Sequence, residues 1–346
     1  MKDKNRETVC AVVVTYNRKK LLIECLEALR KQTRPIQAIY LIDNASTDGT
    51  PNLLLEKGYI KELPPKNLSK PWEKEFEIKN LTDKDTIKLY YVRMHENTGG
   101  AGGFHEGVKR GYERGYDWLW LMDDDAEPYI DSLEILSNYF KKKDIVGLAG
   151  TVIRPNGSIA VSHRGIVDYS RIFPLIQKPL DLNNYSRNEC DIHTASFVGF
   201  LIKSEAIAKI GYPIKDFFIH HDDIEYSLRL LQIGKIKLIP KSKILHKEAA
   251  KKGIEKSFLW MKSERIPYDK LWLSYYSKRN LMWLGKKYTT NRARFYSGAI
   301  KSLIRTIVGV ILFDDKKFKR IRFILNAYID GLKGKFDNEK PKRLLY

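Results

Sequence analysis

The N-terminal part of the chain alternates between short apolar runs and segments with helical spacing. A continuous β-branched run covers residues 9–15, and apolar residues then recur at helical spacing over residues 21–29. Further apolar runs cover residues 38–42 and 87–92. Continuous apolar runs of this length are typical of strands that are buried on both faces of a parallel sheet. The pattern therefore predicts an α/β fold with a Rossmann-like, mostly parallel sheet flanked by helices.

An apolar run that ends in three carboxylates is the most informative stretch. The run Trp118–Met122 is followed directly by Asp123, Asp124 and Asp125. A strand with this ending places carboxylates at the carboxyl edge of the sheet, where open α/β sheets bind ligands. Adjacent carboxylates repel one another, and a divalent cation with oxygen ligands relieves the repulsion. Taken alone, the stretch is equally typical of a metal site and of a solvated turn.

Four glycines precede a helix that is expected over about residues 105–114. They lie at positions 99, 100, 102 and 103. Glycine lets the backbone approach a ligand closely, and a helix N-terminus favours anions. A flexible turn has the same composition, so both interpretations remain open.

Two long segments lack a clear period. Residues 56–86 are rich in Lys, Glu, Pro and Asn and are interpreted as an insertion. Residues 154–190 carry turn residues throughout and could shape an acceptor cleft. The other predicted elements are a helix near residues 130–141 and strands over residues 145–152, 197–202 and 236–239.

A second acidic cluster starts a predicted helix. Asp222 and Asp223 follow an apolar lead and two histidines. Because the helix dipole stabilises carboxylates at its N-terminus, capping is the simplest interpretation. Two aspartates with two histidines nevertheless exceed what capping requires. His246 follows a short predicted strand, a context in which a structural histidine is about twice as frequent as a ligand.

Basic charge is concentrated in the C-terminal part of the chain. The formal net charge is +20, and residues 251–346 hold 24 Lys and Arg against 8 Asp and Glu. This excess predicts attraction to an anionic surface, either a membrane or a nucleic acid. The three cysteines have no metal or disulfide spacing and are expected to be reduced. The N-terminus is too polar for a signal peptide, which predicts a cytoplasmic protein.

The basic region contains a predicted amphipathic helix between residues 300 and 311. Its polar face consists of Lys301, Ser302, Arg305, Thr306 and Gly309, and its apolar face consists of Ile300, Leu303, Ile304, Ile307, Val308 and Ile311. The pattern predicts a helix that is too short and too charged to span a bilayer. A second such helix is expected over residues 318–332. The apolar stripe either docks on an anionic membrane or packs on its own domain or a partner subunit.

Five motifs, taken in order, resemble the inverting glycosyltransferases of family 2, which have the GT-A fold. They are Val14–Arg18, the loop Asp43–Thr50, Asn97 with Gly99 and Gly100, Asp123–Asp125, and Asp222–Asp223 with Arg229. The resemblance covers roughly residues 8–250 and is strongest to the galactofuranosyltransferase and rhamnosyltransferase branch. Asp222–Asp223 stands where many members have Glu-Asp. The Gln-x-x-Arg-Trp motif of processive synthases is absent, which argues against a cellulose- or hyaluronan-type enzyme.

The resemblance implies a role for each matched residue. Those implied to line the nucleotide pocket or to face the diphosphate and sugar are Thr15, Asn17, Arg18, Asp43, Asn44, Asn97, Gly99 and Gly100. Asp123 and Asp125 would hold Mn²⁺ or Mg²⁺, with His246 as the third protein ligand. Asp124 would contact the donor sugar or ribose. Asp223 would be the catalytic base, with Asp222 as the alternative within the pair.

The chemistry of glycosyl transfer fits these residue types. Displacement of a nucleoside diphosphate from an anomeric carbon requires that the leaving charge be neutralised, which a divalent ion does. It also requires a base for the acceptor hydroxyl. One carboxylate suffices for direct inverting attack, whereas a glycoside hydrolase needs two carboxylates that flank the bond.

The implied protein has a GT-A catalytic domain at residues 1–250 and a basic helical region at 251–346 that associates with a membrane or forms an interface. It would transfer galactofuranose from UDP-galactofuranose, or alternatively rhamnose from dTDP-rhamnose, to a lipid-linked or growing cell-surface glycan. It would lie on the inner face of the cell membrane, and a homo-oligomer remains open.

Two alternatives of other classes receive less support. A nucleic-acid-binding protein would use the basic region, but the two acidic clusters would repel phosphate without a metal. A binding module with the same fold but without catalysis is disfavoured because the aspartate set is intact.

Overall fold

A computed structural model describes residues 6–247, 254–258 and 261–346. The chain divides into two compact units. The first comprises Met1–Ile166, Pro179–Lys215 and Asp223–Glu248, and the second comprises Val167–Lys178, Asp216–Asp222 and Ala249–Tyr346. The predicted division into a catalytic part and a membrane-associating or interface part concerns roles, and it stays a prediction.

Strands and helices alternate up to His246. The strands are β1 Val9–Thr15, β2 Ala38–Asp43, β3 Trp72–Lys79, β4 Thr86–Arg93, β5 Trp118–Asp123, β6 Ala126–Pro128, β7 Ile145–Ile153, β8 Arg164–Ile166, β9 Lys178–Pro179, β10 Cys190–Ile192, β11 Thr194–Ala195, β12 Phe200–Lys203 and β13 Lys235–His246. The α-helices are α1 Lys19–Arg30, α2 Thr50–Glu56, α3 Gly99–Glu113, α4 Ser132–Ser137, α5 Ser204–Ile210 and α6 Asp222–Leu230.

Ten of these strands form one mixed sheet in the order β10-β13-β7-β12-β5-β1-β2-β4-β3, with β6 paired to β13. Strands β5, β1, β2 and β4 run parallel to one another, while β12 is antiparallel to β5. The register pairs Thr15 with Asp43 and Val14 with Asp123, so the carboxyl ends of three parallel strands meet at one edge. The predicted α/β fold is confirmed, and this edge is where such sheets bind ligands.

Strand β1 is buried on both faces, as its continuous apolar run predicts. The odd-numbered residues from Val9 to Val13 lie in a core cluster with Leu26 of α1. The even-numbered residues lie in a second cluster with Val108 of α3. Because side chains alternate along a strand, helices are needed on both sides of the sheet.

The glycine run lies inside α3 rather than before it, which corrects the interpretation as a loop. Gly99 begins the helix with a φ of 72°. A Cβ added at Gly103 would lie 2.5 Å from a methyl carbon of Val14, so this glycine lets α3 lie close to β1. A Cβ added at Gly100 would have no neighbour within 4 Å among the described residues. Helix packing therefore accounts for part of the run, and Gly100 remains open to a ligand.

The structure adds one strand that was not predicted and lengthens another. Residues 56–86, interpreted as an insertion, contain the edge strand β3, which pairs with β4. Only Phe76 and Ile78 of β3 are buried, so its apolar signal is weak. The strand predicted over residues 236–239 is the start of β13, which runs to His246 because it pairs with β7 along most of its length.

The C-terminal region forms a hairpin and helices. Its elements are β14 Ile254–Phe258, β15 Met261–Arg265, α7 Leu273–Tyr288, α8 Arg292–Phe313, α9 Lys317–Lys333 and α10 Lys340–Leu345. The two predicted amphipathic helices correspond to α8 and α9. Helix α8 has 22 residues. Among the helices in the described ranges, it is the one whose length and composition would allow it to cross a membrane. The expectation that it is too short and too charged to span a bilayer is therefore wrong.

Candidate active site

The carboxyl end of β5 carries the acidic turn. Asp123 ends the strand, and Asp124 and Asp125 follow in the turn that leads to β6. Both turn residues are almost fully buried. Because β6 pairs with the end of β13, His246 lies opposite Ala126. This pairing brings His246 Nε2 to 3.0 Å from Asp125 Oδ1.

Asp123 and Asp125 have different pKa values because their surroundings differ. Burial and the charge of Asp125 raise the pKa of Asp123 to about 7. Burial also acts to raise the pKa of Asp125, but the hydrogen bond and charge of His246, together with the charge of Arg18, lower it below its ordinary value. Ionising both neighbouring carboxylates is costly, so the pair would gain from a cation.

Thr15 and Arg18 hold the acidic turn from the end of β1. Thr15 Oγ1 donates to Asp124 Oδ2 at 2.7 Å. Arg18 Nη1 donates to Asp125 Oδ2 at 2.7 Å and lies 3.4 Å from Asp124 Oδ1. Burial raises the pKa of Asp124 to about 6, although the Thr15 hydrogen bond and the Arg18 charge oppose this shift. The motif Val14–Arg18 is thus in direct contact with the motif Asp123–Asp125.

Asn17 and Asp43 stabilise the neighbouring loops. Asn17 has a φ of 56°, and its Oδ1 accepts a hydrogen bond from the backbone N–H of Thr47 at 2.6 Å. The fully buried Asp43 accepts hydrogen bonds from Arg93 Nη1 at 2.6 Å and Tyr91 Oη at 2.7 Å. The Asp43 carboxylate is therefore bound by protein groups at the base of this edge.

Asn44 and Asn97 fix the start of α3. Asn44 Oδ1 accepts from the Thr98 N–H at 3.0 Å, and its Nδ2 donates to Asn97 Oδ1 at 3.0 Å and to the Gly99 carbonyl at 2.9 Å. Asn97 Oδ1 also accepts from the Gly99 N–H at 2.9 Å. The two asparagines and Gly99 form one hydrogen-bonded group, with Gly100 next to it. This group presents the N-terminus of α3, an end that favours anions.

His163 is a residue of this site that the sequence did not reveal. Its ring packs edge-on against His246 with ring centroids 5.0 Å apart, and its Nδ1 lies 2.7 Å from Ser196 Oγ. Burial, followed by the charge of Arg164, lowers the pKa of His163 to about 3, so the ring is neutral. It lies within residues 154–190, whose sequence shows no periodic pattern or spacing that could identify it.

Arg164 is a second residue that the sequence did not reveal. It is fully buried and donates to the backbone carbonyl oxygens of Gly150 at 3.0 Å, His163 at 2.9 Å and Val198 at 2.8 Å. Burial lowers the pKa of Arg164 to about 10. Its charge acts on Asp223, and so it links the histidine pair electrostatically to the second acidic cluster.

Helix α6 begins with the second acidic cluster. Asp222 is nearly buried and belongs to the second unit, whereas Asp223 is partly exposed and belongs to the first. Asp223 Oδ1 accepts a hydrogen bond from the Ile224 N–H at 2.7 Å. Burial raises the pKa of Asp223 to about 6, against the opposing effects of that N–H and of Arg164. A carboxyl group with a pKa near neutrality is suited to accept a proton.

Asp123, Asp125 and His246 could hold a metal ion. One ligand atom from each residue lies within 4.8 Å of the others. Two carboxylates and one imidazole fit a divalent cation such as Mn²⁺, and carboxylate oxygens also suit Mg²⁺. The raised pKa of Asp123 agrees with this, because a cation would remove the cost of ionising both carboxylates.

Comparison with known proteins connects this site to an enzyme family. The family model described as glycosyl transferase family 2 matches residues 10–64 and 75–211, which is more than half of the chain. The matched region includes the loops after β1 and β2, the start of α3 and the acidic turn.

Two curated relatives are galactofuranosyltransferases. Galactofuranosyltransferase GlfT1 of Mycolicibacterium smegmatis is 25% identical over 232 residues, which span 66% of this chain and 67% of that protein. Galactofuranosyltransferase GlfT1 of Mycobacterium tuberculosis H37Rv is 26% identical over 233 residues, which span 66% of each chain. The match thus covers about two thirds of the length of these relatives.

Solved structures share the fold. A crystal structure of GalNAc-T7 with UDP, GalNAc and Mn²⁺ has a TM-score of 0.56 at 15% identity, over 96% of this chain and 57% of that one. Residues 1–349 of S. aureus TarS give a TM-score of 0.52 at 14% identity, over 98% of this chain and 83% of that one. At these identities the likeness concerns the fold alone, which is GT-A. With this fold and a family model that matches more than half of its residues, the chain belongs to glycosyl transferase family 2 and is a glycosyltransferase.

Proposed function

We propose that the protein transfers galactofuranose from UDP-galactofuranose to a lipid-linked or growing cell-surface glycan, with a divalent ion and in one inverting displacement. The observation that carries the proposal is the presence of a metal-binding cluster together with a second carboxyl group that is suited to act as a base. Asp123, Asp125 and His246 converge at the sheet edge, and burial raises the pKa of Asp223, which is not part of that cluster, to about 6. The donor sugar is supported by the names of the two curated relatives.

A divalent ion held by Asp123, Asp125 and His246 would neutralise charge on the leaving diphosphate. Asp223 would accept the proton of the acceptor hydroxyl while the hydroxyl oxygen of the acceptor bonds to the anomeric carbon. The bond from that carbon to the diphosphate breaks in the same step, and a single displacement inverts the configuration. One base suffices for this reaction, in contrast to the two carboxylates of a glycosidase.

The start of α3 would receive the diphosphate. The N–H groups of Thr98 and Gly99 donate to Asn44 and Asn97, which fixes this end of the helix, and Gly100 leaves open space beside it. A helix N-terminus of fixed geometry stabilises phosphate oxygens without reorganisation. This arrangement supports the assignment of Asn97, Gly99 and Gly100 to the diphosphate and sugar.

We further propose that the protein acts at the cytoplasmic face of the cell membrane, attached peripherally. The charge distribution supports this location, because residues 251–346 carry most of the positive excess. A lipid-linked acceptor would be presented at the same surface. The basic region thus has a use within a glycosyltransferase, and binding of nucleic acid is not needed to explain it.

A donor screen tests the proposed function. The purified full-length protein would be incubated with Mn²⁺ and one of four donors: UDP-galactofuranose, UDP-galactopyranose, UDP-glucose or dTDP-rhamnose. Release of nucleoside diphosphate would be measured with and without membrane lipid extract as the source of acceptor. We expect acceptor-dependent release from UDP-galactofuranose, and none from the same reaction with the Asp223→Asn variant.

The outcomes separate the parts of the proposal. Turnover of dTDP-rhamnose in place of UDP-galactofuranose would refute the donor but keep the reaction class. The anomeric configuration of the product, measured by NMR, tests the single displacement, and retention would contradict it. Equal turnover with EDTA and with Mn²⁺ would remove the divalent ion from the proposal.

A further inference from the structure

Helix α8 directs its apolar face to solvent. Ile300, Ile304, Val308 and Ile311 are 58%, 57%, 46% and 48% exposed, and their spacing places them on one face of the helix. We call this face the α8 stripe. A helix that packs on its own domain normally buries such a stripe. Contiguous exposed apolar residues instead mark a surface that contacts a partner or a membrane.

The polar face of α8, together with Val308 of the α8 stripe, lines a groove of about 760 Å³ within the second unit. This volume is in the range of sites for small molecules and headgroups. Among its lining side chains are the carboxylates of Glu264 and Asp314 and five basic groups. The basic residues are Lys262, Arg265, Lys278, Arg305 and Arg320. The groove is therefore predominantly basic.

Three of these basic residues already have acidic partners. Arg265 forms an ion pair with Asp314, Arg320 forms one with Asp315, and Lys262 forms one with Glu255. These pairs account for part of the positive charge. The remaining cations of the groove are Lys278 and Arg305.

Lys278 and Arg305 have no acidic partner within ion-pair distance among the residues that the structure describes. Burial, followed by the charge of Arg265, lowers the pKa of Lys278. A partly buried ammonium group without a counter-ion is unfavourable, and an anion in the groove would relieve the cost. The groove is thus complementary to a phosphate group.

Gly309 keeps the groove narrow on the α8 side. A Cβ added there would lie 2.8 Å from Nη1 of Arg265. The absence of a side chain lets the guanidinium lie close to the helix backbone. Val308 belongs both to the α8 stripe and to the groove lining, so the apolar face and the basic groove are continuous along one helix.

We propose that the groove binds the phosphate of a membrane lipid while the α8 stripe lies among the acyl chains of the same leaflet. The two features fit the two parts of an anionic lipid, since Val308 connects the surface for the chains to the site for the headgroup. Phe318, which is 79% exposed, and the exposed Lys316 and Lys317 extend the same combination of apolar and basic groups into α9. This inference rests on the proposed membrane location and not on the sugar that the enzyme transfers.

Flotation with vesicles tests the groove. The full-length protein would be mixed with phosphatidylcholine vesicles, with or without phosphatidylglycerol. We expect binding to the anionic vesicles only. Each basic residue near an anionic leaflet strengthens binding by about fivefold. We expect Lys278→Gln to weaken binding by about tenfold or more, because it removes a contact to phosphate.

Lys301→Gln is the matched control. Lys301 is an exposed lysine of the same helix that does not line the groove, so its loss should weaken binding by about fivefold at most. If both variants weaken binding equally, the charge acts diffusely and the groove is not a site. Arg305→Gln is the second groove variant should Lys278→Gln not fold.

Two further arms identify the source of the phosphate and the role of the stripe. Inorganic phosphate at millimolar concentration should leave flotation unchanged, and full competition would indicate a site for free phosphate instead.

Ile304→Ser with Ile311→Ser should abolish flotation, whereas Leu182→Ser, at an exposed leucine of the first unit, should not. Resistance of the native protein to extraction by alkaline carbonate would indicate that α8 spans the membrane and would overturn peripheral docking.

A second inference concerns the segment that precedes the α6 aspartates. Phe218, His220 and His221 have φ values of 62°, 71° and 67°. Residues other than glycine rarely adopt this left-handed conformation, and it persists only where surrounding contacts impose it. The last of the three residues is bonded directly to Asp222. A local strain of this kind requires an explanation in the contacts of the segment.

Two buried residues of α7 provide those contacts. Arg279 and Asn280 are both fully buried. Asn280 Nδ2 lies 3.0, 3.1 and 2.9 Å from the carbonyl oxygens of Phe217, Ile219 and His220. Arg279 Nη2 donates to the carbonyl oxygens of Asp216 and Phe217 at 2.9 and 3.1 Å.

We infer that Arg279 and Asn280 are positioning residues that hold the backbone of residues 216–221, the segment that leads directly into Asp222. The inference rests on the proposed role of Asp223 as the base. Asn280→Asp keeps the size of the side chain but replaces the donor group with a carboxylate that repels the carbonyl oxygens. We expect kcat to fall about tenfold or more, with the donor KM changed less than twofold.

Tyr275→Phe is the control for stability. It lies in the same helix and removes a buried hydrogen bond, from Tyr275 Oη to Asp330 Oδ2 at 2.5 Å, that does not involve the segment. It should lower Tm and leave kcat unchanged. An Asn280→Asp enzyme with unchanged kcat would overturn the positioning role. If Asp223→Asn is fully active, the assignment of Asp223 as the base in the proposed function is wrong, whatever Asn280→Asp does.

Discussion

Helices α1 and α8 carry similar apolar stripes but use them in opposite ways. The α1 stripe is fully buried against the sheet of the first unit, and the α8 stripe of the second unit faces solvent. The two units also differ in the sign of the charge that they gather. The first unit gathers acidic groups at one sheet edge, whereas the groove of the second unit is mainly basic. The difference suggests that the first unit performs the chemistry and the second determines where it takes place.

This comparison also shows what an amphipathic pattern means. Helical spacing identifies a face, but the destination of that face depends on the available partners. Strands β1 and β5 offer α1 a continuous apolar surface. Within the second unit the stripe of α8 receives no such cover from the described residues. The following predictions test the division of roles, from the largest expected effect to the smallest.

The largest effect is expected at Asp223. Asp223→Asn keeps the shape of the side chain but removes its ability to accept a proton. General base catalysis contributes about 10²–10⁴-fold to a rate, so we expect kcat to fall by about that factor while the donor still binds. Steady-state kinetics and donor binding by calorimetry measure the two quantities. Vesicle binding by the second unit should not change.

Asp222→Asn is the companion variant for this prediction. It should retain most of the activity, because Asp222 is nearly buried. An inactive Asp222→Asn beside an active Asp223→Asn would reverse the assignment within the pair.

A smaller loss is expected when the candidate metal centre is changed. Asp125→Asn leaves an amide beside His246 and Arg18, which weakens the hold on a divalent cation. A metal ion contributes several kcal/mol to transition-state stabilisation, so we expect turnover to fall on the order of 10²-fold or more. Binding of Mn²⁺, followed by electron paramagnetic resonance, should weaken in parallel.

Asp168→Asn is the matched control for the metal. Asp168 is an exposed aspartate outside the cluster, and its replacement should leave both the affinity for Mn²⁺ and turnover unchanged. Unaltered Mn²⁺ affinity in Asp125→Asn would show that the three residues do not bind the ion.

Substitutions in the apolar stripes of α1 and α8 should change the free energy of unfolding by different amounts. Leu26→Ala in α1 creates a cavity in the core and should lower the free energy of unfolding by about 2–5 kcal/mol. Ile304→Ala in α8 removes an exposed side chain and should change it by about 0.5 kcal/mol or less. Denaturation in urea measures both. A large loss for Ile304→Ala would mean that the stripe is covered in solution, for example by a second copy of the chain.

The smallest effect concerns pH. Because burial raises the pKa of Asp223 to about 6, this base is mostly ionised at pH 7 and mostly protonated at pH 5. Only the ionised form accepts a proton, so kcat at saturating Mn²⁺ should fall as pH decreases through about 6, by about tenfold per unit below it. A pH-rate profile that stays flat to pH 4.5 would contradict this assignment.

The sequence alone was enough to predict the α/β fold, most of the sheet strands and the acidic turn, because these features are local. Continuous apolar runs predict strands, and the three aspartates directly follow one of them. The family resemblance then indicated His246 and the two aspartates of α6. The sequence pattern did not predict edge strand β3, because only Phe76 and Ile78 are buried in it.

Contacts between distant segments could be known only from the tertiary structure. His163 and Arg164 lie in a segment whose sequence shows no clear period. The pairing of β6 with β13 is what brings His246 to the acidic turn. The direction of the α8 stripe also depends on which surfaces surround the helix, which no periodic pattern specifies. Local patterns determine elements and their faces, whereas packing between elements decides which side chains meet and which face remains exposed.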